Sequence, residues 1–319
     1  MHHPPVLSAP ESDCRQSDRE QVRLRQCMSD LIRPLVPGDG FHTTALADVR
    51  LMALHGSRPR TPLVYEPGII IIAQGEKTGY LEDRTIHYGA GHYLVQAMPL
   101  PFECETRADP DHPLLGISIR IDLVTLGELS QITPPVGAAA PPLPMAAVAM
   151  EPRMGHSVVR LLECLHDEVM GRALGRQRVR EVLFEALRGP QGESLHQLIQ
   201  QQSQYGRIGR AIGLLHRDFA MALSVEQLAG RVNMSPSAFH FHFKRLTRLS
   251  PLQYQKRIRL LKARVMLTGR THNVSAAAGA VGYQSASQFS REYKRYFGTS
   301  PADELRTSLT DQPSSLLDR

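Results

Sequence analysis

The 319-residue chain is 42% hydrophobic, lacks tryptophan and carries a formal charge of +6, so it has the length for two domains and the apolar content to close a core rather than stay disordered. Its longest strongly apolar run, Gly68 to Ala73, is too short to span a bilayer, and no signal segment opens it, so no membrane partner is expected. Cys14, Cys27, Cys104 and Cys164 are scattered without metal or redox spacing, which fits a reducing cytoplasm. The first forty residues are polar, with one short helix predicted from Arg19 to Ile32. From Gly40 to Ile121 short runs rich in Val, Ile, Tyr and Leu alternate with Gly, Pro and Asp, as in a β-sandwich or barrel, with hairpin turns expected at "GEK" and "LEDR". Five prolines between Pro134 and Met150 mark a linker. Beyond it the texture is helical, with one helix predicted from Gly155 to Met170. Its Val158, Leu161, Leu162 and Leu165 form a single apolar stripe, either a dimer seam or packing within the domain.

Charge is unevenly spread. Residues 207–319 sum to +11 and residues 1–206 to −5. A basic C-terminal third beside an acidic remainder points to a polyanion partner for that third, the alternative being a solvated basic surface.

The last hundred residues hold a repeat. Val225, Leu228, Ala229 and Val232 lie at i, i+3, i+4 and i+7, and Val274, Ala277, Ala278 and Val281 repeat the spacing. Each helix face is followed by a residue tolerant of a left-handed turn, Asn233 or Gly282. A serine N-cap then opens a second helix, at Ser235 with Pro236 behind it and at Ser285. From those caps Phe239 matches Phe289, Phe243 matches Tyr293, and Lys244 matches Lys294. "SVEQ" at Ser224 to Gln227 is a capping box. This is the helix-turn-helix plan, twice. Between the copies Tyr254, Ile258, Leu261 and Val265 mark one helix of about 18 residues, roughly 27 Å long, near the 34–36 Å repeat of one major-groove face.

The stretch "SAFHFHFK" (Ser237 to Lys244) has the period of a strand with two histidines on one face. The Ser-Pro helix start overrides that. On a helix His240 and His242 lie about 200° apart and cannot share a metal.

The blocks "VNMSPSAFHFHFKRLTRLSPLQYQKRIRLLKAR" and "VSAAAGAVGYQSASQFSREYKRYFGTSP" resemble the tandem helix-turn-helix domain of AraC/XylS-type transcription regulators. "VYEPGIIIIAQGEKTGYLEDRTIHYGAGHYLVQAMPLPFE" and "LRGPQGESLHQLIQ" resemble the subgroup with a cupin-like N-terminal effector domain. The resemblance implies an α+β chain with an N-terminal cupin-like β-barrel, a helical dimerisation segment and a C-terminal all-α tandem helix-turn-helix domain. The boundaries expected are an extension (1–39), a regulatory β domain (40–130), a Pro/Ala-rich linker (131–155), a connecting helical segment (156–205), the DNA-binding domain (206–306) and a tail (307–319). It also implies a cytoplasmic homodimer, nucleoid-associated when bound to promoter double-stranded DNA, acting through RNA polymerase under an effector of unknown kind.

Carried over by position, base contacts would come from Ser237, His240 and Phe241 in the first unit. In the second they would come from Ala286, Ser287, Ser290 and Arg291. Phosphate contacts would come from Ser235, Lys244, Arg245, Ser285, Lys294 and Arg295, where charge positions without specifying. Ser235 and Ser285 are caps as well, and Phe239, Phe243, Phe289 and Tyr293 read as core. Two departures stand out. The family often has arginine where this chain has Phe241, which puts guanine readout there in doubt and leaves packing on thymine methyls. It commonly has glycine where this chain has Arg248, which removes the usual helix stop and leaves Ser250 and Pro251 to end the helix. Gly279, within the second unit's first helix, costs about 1 kcal/mol relative to alanine, so that unit is expected to be the less stable.

In the β region Tyr65, Gln74, Tyr80, Tyr88 and Tyr93 suit either a ligand pocket or a barrel wall. Cys104 is either a reactive thiol or a buried inert one. His87 and His92 lack the ligand set of a metal cupin, so neither metal nor cofactor is expected. Two other classes compete: a cupin-type isomerase or oxygenase with a helical appendage, and a DNA-repair methyl acceptor. The first lacks ligands and nucleophile-base motifs; the second lacks a reactive-cysteine motif.

Overall fold

The computed structural model describes residues 11–135, 142–200 and 202–307, with side chains from residue 18 to residue 306. A 22-residue helix, α1 (Glu11–Ile32), opens the described chain and starts eight residues earlier than predicted. Nine strands follow: β1 (Gly40–Thr43), β2 (Val49–Leu54), β3 (Arg58–Val64), β4 (Gly68–Gln74), β5 (Glu76–Leu81), β6 (Arg84–Gly89), β7 (His92–Gln96), β8 (Pro101–Arg107) and β9 (Leu114–Arg120). After α2 (Leu123–Ile132) comes a tenth strand, β10 (Met145–Ala149). The strands form two antiparallel sheets, ordered β1-β2-β9-β4-β7-β10 and β3-β8-β5-β6. The sheets face one another without hydrogen-bonding into a closed cylinder.

The run "GIIIIA" is β4, central in the larger sheet. Ile69, Ile70, Ile71 and Ile72 are all buried, because the smaller sheet covers one face and α1 the other. A strand covered on both faces needs no alternation. Close packing of the backbones shows at Gly116 of β9, where a Cβ would lie 2.7 Å from the Ile71 carbonyl oxygen of β4. In the smaller sheet β5, β6 and β8 alternate buried and exposed residues, as strands with one wet face do.

One turn expectation holds and two others change. "LEDR" is the β5–β6 hairpin turn, with Leu81 paired to Arg84 and Glu82 at φ 51°. "GEK" is not a hairpin, since β4 and β5 belong to different sheets, and Gly75 at φ 83° turns the corner between them. The proline-rich linker contains β10, which pairs with β7 from Met145↔Gln96 to Ala149↔His92. Proline is tolerated beside an edge strand, and β10 is one. Residues 136–141 of that linker, like the tail from 308 on and the first ten residues, lie outside the described residues.

The helix predicted from Gly155 to Met170 is two: α3 (Pro152–Leu165) and α4 (Glu168–Arg188). Asp167 breaks it by capping α4, its carboxylate accepting from the Met170 N–H at 2.8 Å. The proposed dimer stripe is used inside the chain. Val158, Leu161 and Leu162 are fully buried and Leu165 half-buried, where α3 packs between α1 and α4. Arg160 of α3 pairs with Glu181 of α4 across that packing, and Arg178 pairs with Glu181 along α4.

After α5 (Gly192–Ile199) the remaining helices are α6 (Gln204–Arg217), α7 (Val225–Arg231), α8 (Pro236–Thr247), α9 (Pro251–Thr268), α10 (Val274–Ala280), α11 (Ala286–Phe297) and α12 (Pro301–Thr307). One continuous core runs from the double sheet through α3–α5 into α7, α8 and the start of α9. A separate small core holds Leu260, Ala263, Leu267, Ala277, Ala278, Val281, Phe289 and Tyr293. Among the described residues no helix is long and apolar enough to cross a membrane.

Candidate nucleic-acid interface

In the first unit α7 and α8 meet through Asn233 at φ 55°. The box at the start of α7 is complete, with Ser224 and Gln227 bonding each other's backbone. The Ser235 hydroxyl accepts from the Ala238 N–H at 3.3 Å, and Pro236 fills the first helical position. Phe239 and Phe243 then fall on the buried side, their rings 5.4 Å apart, with Tyr254 of α9 edge-on to Phe243. At 100° per residue Ser237, His240, Phe241, Lys244 and Arg245 spread over an arc of about 140° on the opposite side, and all five are exposed. His242 lies outside that arc, half-buried, and burial and then the charge of Arg245 depress its pKa.

The second unit repeats this about fifty residues on. Gly282 makes its turn at φ 84°, and a Cβ there would come within 2.2 Å of the Ala220 carbonyl oxygen, so glycine is needed for space as well as conformation. Ser285 accepts from the Gln288 N–H at 3.3 Å. Phe289 and Tyr293 are buried. Ser287, Ser290, Arg291 and Lys294 share an arc of about 100°, with Ala286 and Arg295 at its edges. The Ser290 hydroxyl donates back to the Ala286 carbonyl at 2.9 Å, leaving its oxygen free to accept.

Position by position, Ser237 corresponds to Ser287, His240 to Ser290, and Phe241 to Arg291. Arg248 corresponds to Gly298, and both take the left-handed conformation that closes the reading helix, at φ 63° and 80°. The helix stop expected to be lost with glycine is therefore kept, at a cost of about 1–2 kcal/mol for an L side chain. The Arg248 guanidinium lies 3.6 Å from Asp83 in the β5–β6 turn. Gly279 does not single out the second unit either, because Gly230 holds the same place in α7 and neither would clash with a Cβ.

The outward faces of α8 and α11 carry exposed cations. Most arginines of the N-terminal region are paired, among them Arg58, Arg60, Arg107, Arg120, Arg160 and Arg180. Among the described residues Lys244, Arg291, Lys294 and Arg295 have no carboxylate within 4 Å.

Positioning residues in α9 were not foreseen. Arg259 donates to the carbonyls of Phe219 (2.7 Å), Ala220 (3.2 Å), Met221 (3.0 Å) and Gly282 (3.4 Å), stapling the loop before α7 to the turn of the second unit. Gln255 donates to Phe219 and Met221 in the same loop. Lys256 pairs with Glu292 of α11 at 2.7 Å, and Glu292 accepts from Tyr283 at 2.7 Å. Burial works against ionised Glu292, but Lys256, Tyr283 and Gln288 together hold its pKa low. These contacts set the spacing of the two reading helices. Their sequence signal, a cation four residues beyond a glutamine on one helix, is too common to find them.

The family described as the AraC-type transcriptional regulator N-terminus matches residues 45–194, and a helix-turn-helix domain family matches residues 228–307. The chain belongs to the AraC/XylS-type regulators. It is similar to the HTH-type transcriptional regulator GbdR of Pseudomonas aeruginosa, 25% identical over 162 residues, covering 47% of this chain and 43% of that protein. It is also similar to the HTH-type transcriptional activator RhaS of Escherichia fergusonii, 32% identical over 147 residues, covering 46% and 52%. The chain thus spans about half the length of these curated relatives. In fold it is similar to ToxT from Vibrio cholerae, solved with an unsaturated fatty acid bound, with a TM-score of 0.55 at 11% identity over 83% of this chain and 96% of that one.

In this AraC/XylS-type chain the six effector-pocket candidates do not converge. Tyr65, Tyr88 and Cys104 come together between the sheets, the Tyr88 hydroxyl 3.6 Å from the Cys104 sulfur. Burial raises the pKa of both tyrosines. Tyr80 points outward, donating to Glu105 under the Arg60 guanidinium. Gln74 donates to the Pro113 carbonyl. Tyr93 lines a separate cleft of about 70 Å³ with Glu151, Arg153, Glu185 and Arg188. The reason is strand alternation: in β5 residues 77, 79 and 81 point inward and 78 and 80 outward. That rule brings in a residue the sequence reading omitted. Lys77 is buried between the sheets, its ammonium donating to Thr106 at 3.1 Å, and burial depresses its pKa. His87 and His92 are both exposed.

The two domains are joined at α9. The Tyr254 hydroxyl donates to the Pro99 carbonyl and accepts from His216 Nε2 at 2.8 Å. Arg257 pairs with Glu82 at 2.5 Å beside the Arg248–Asp83 pair. The β5–β6 turn of the regulatory domain is thus tied to the end of the first reading helix and to the helix that spaces the two units.

Proposed function

We propose that this chain is a sequence-specific DNA-binding transcription regulator that lays α8 and α11 into two successive major-groove segments. One observation carries it: two in-register helices turn their polar and cationic residues outward as single faces, and among the described residues Lys244, Arg291, Lys294 and Arg295 have no carboxylate within 4 Å. The α9 spacer, about 27 Å long, suits neighbouring grooves of one DNA face. Base contacts are assigned to Ser237, His240, Phe241, Ala286, Ser287, Ser290 and Arg291. Ser235, Lys244, Arg245, Ser285, Lys294 and Arg295 are assigned to phosphates.

The N-terminal domain is the modulating part. Tyr65, Tyr88, Cys104 and Lys77 mark the interior where an effector would act. Its route to the reading helices is the Glu82–Asp83 turn. Assembly as a homodimer and contact with RNA polymerase complete the proposal. Since the α3 stripe is buried, the second copy must dock elsewhere.

The test is binding of the full chain to duplexes enriched from a random pool. Specific affinity falling steeply between 50 and 200 mM salt, as counterion release requires, is expected. Enrichment of no sequence would refute the proposal. Stoichiometric metal with turnover of a small acid or sugar would instead favour the cupin-enzyme reading.

A further inference from the structure

We propose that Phe241 is a specificity residue that reads the C5-methyl group of a thymine in the major groove, so that the first unit selects by methyl contact where the second selects by hydrogen bonds. This rests on the DNA-binding reading above.

The position argues first. Phe241 lies inside the exposed arc of α8, between His240 and Arg245, and occupies the place that Arg291 holds on α11. If α11 presents Arg291 to base edges, the repeated geometry presents Phe241 to them too. Exposure argues second. Phe241 is 60% exposed, and it is the one aromatic among the exposed large apolar side chains of the described residues. A ring left in water on a face otherwise made of hydroxyl, imidazole and cationic groups gains nothing from folding. It gains when the face is covered.

Chemistry then limits what the ring can recognise. It has no donor or acceptor, so it can neither bind phosphate nor replace arginine at guanine. The major groove offers one apolar group, the thymine methyl. The ring is also braced. The His242 imidazole meets it edge-on at 5.1 Å, and the Arg245 guanidinium lies 5.8 Å from its centroid. Burial, then the charge of Arg245, depresses the pKa of His242. Arg245 can hold the ring while its remaining donors reach the backbone phosphate, and Ser237 and His240 remain to bond the flanking bases.

The experiment uses the full chain and one enriched duplex in which each thymine in turn is replaced by deoxyuridine. The replacement removes the methyl group and leaves the hydrogen-bonding edge unchanged. Wild type is expected to bind about fourfold more weakly when one thymine of the first half-site is replaced, the worth of one buried methyl. Phe241→Ala should bind thymine and uracil duplexes alike, and Phe241→Leu should keep part of the preference. A cytosine placed there should gain affinity for wild type when supplied as 5-methylcytosine. Protection of the second half-site by Phe241→Ala shows that the variant is folded. Specific binding with no uracil-sensitive thymine, or sensitivity that survives in Phe241→Ala, overturns the inference and leaves the regulator reading standing. Loss of transcription activation by Phe241→Ala with unchanged DNA affinity and unchanged uracil sensitivity assigns the ring to a protein contact and also overturns it. Failure of the wild type to select any sequence overturns the reading beneath it.

Discussion

The two helix-turn-helix units share a plan but not a foundation. The first is continuous with the core of the regulatory domain through Phe243, Tyr254 and Ile258. The second rests on its own small cluster around Phe289 and Tyr293, tied back by Arg259 and by Lys256–Glu292. Their reading faces differ in the same sense. At equivalent places stand Phe241, an apolar ring, and Arg291, a forked donor. At the helix ends stand Arg248, whose side chain is tied to Asp83, and Gly298, which has no side chain to tie. One sequence repeat has yielded a first unit that shares the regulatory domain's core and a second unit with a core of its own, whose α11 still touches β3 of that domain.

The largest test of that difference removes each core in turn. Phe289→Ala should cost about 3–5 kcal/mol and release α10–α12 alone, seen as hydrogen exchange rising there while α7 and α8 stay protected. Phe243→Ala should cost a similar amount but loosen the Tyr254 seam and the regulatory domain with it. Equal spreading from both would mean the cores are not separate.

Acid should separate the units next. Burial, then the nearby charge of Lys262, lowers the pKa of His216 to about 4, against an ordinary value near 6.5. Below 6.5 the unfolded state takes up a proton that the folded state refuses, so stability present at neutral pH is lost as pH falls. By pH 4 the loss is about 3 kcal/mol. It falls on the seam where His216 meets Tyr254 and Pro99. The second unit's own half-buried ion, Glu292, has a depressed pKa and holds until lower pH. Exchange at pH 5 should therefore rise around α6 and α9 before α11, and His216→Gln should flatten the difference.

On DNA, Arg291→Ala should relax base preference at one position of the second half-site by about 1–3 kcal/mol. Lys294→Ala should weaken all sequences alike and lower the salt slope by about one. The smallest effect should come from Arg248→Gly. Relief of the left-handed arginine is offset by loss of an exposed ion pair worth about 0–1 kcal/mol. Stability should then change by less than about 1 kcal/mol while the β5–β6 turn becomes more open to protease.

Local rules made much of this legible before any coordinates. Caps at Ser235 and Ser285, turns at Asn233 and Gly282, and the buried pairs Phe239–Phe243 and Phe289–Tyr293 all follow from spacings within one or two helical turns. What stayed hidden depends on tertiary partners. The α3 stripe shows the same period whether it meets a second chain or α1. Lys77 needs the β5 register before its burial is visible. Arg248 breaks the glycine rule because a turn 165 residues earlier supplies a carboxylate. Arg259 reads as one more basic residue until four carbonyls converge on it.

The most direct test of the central claim is base-resolution footprinting of the full chain on one enriched duplex, repeated with Phe241→Ala and Arg291→Ala. The expected result is two protected major-groove segments about one helical turn apart on the same DNA face, with each substitution altering selectivity in only one of them. A single protected segment, or substitutions that weaken both segments equally, would contradict two unequal reading helices in one chain.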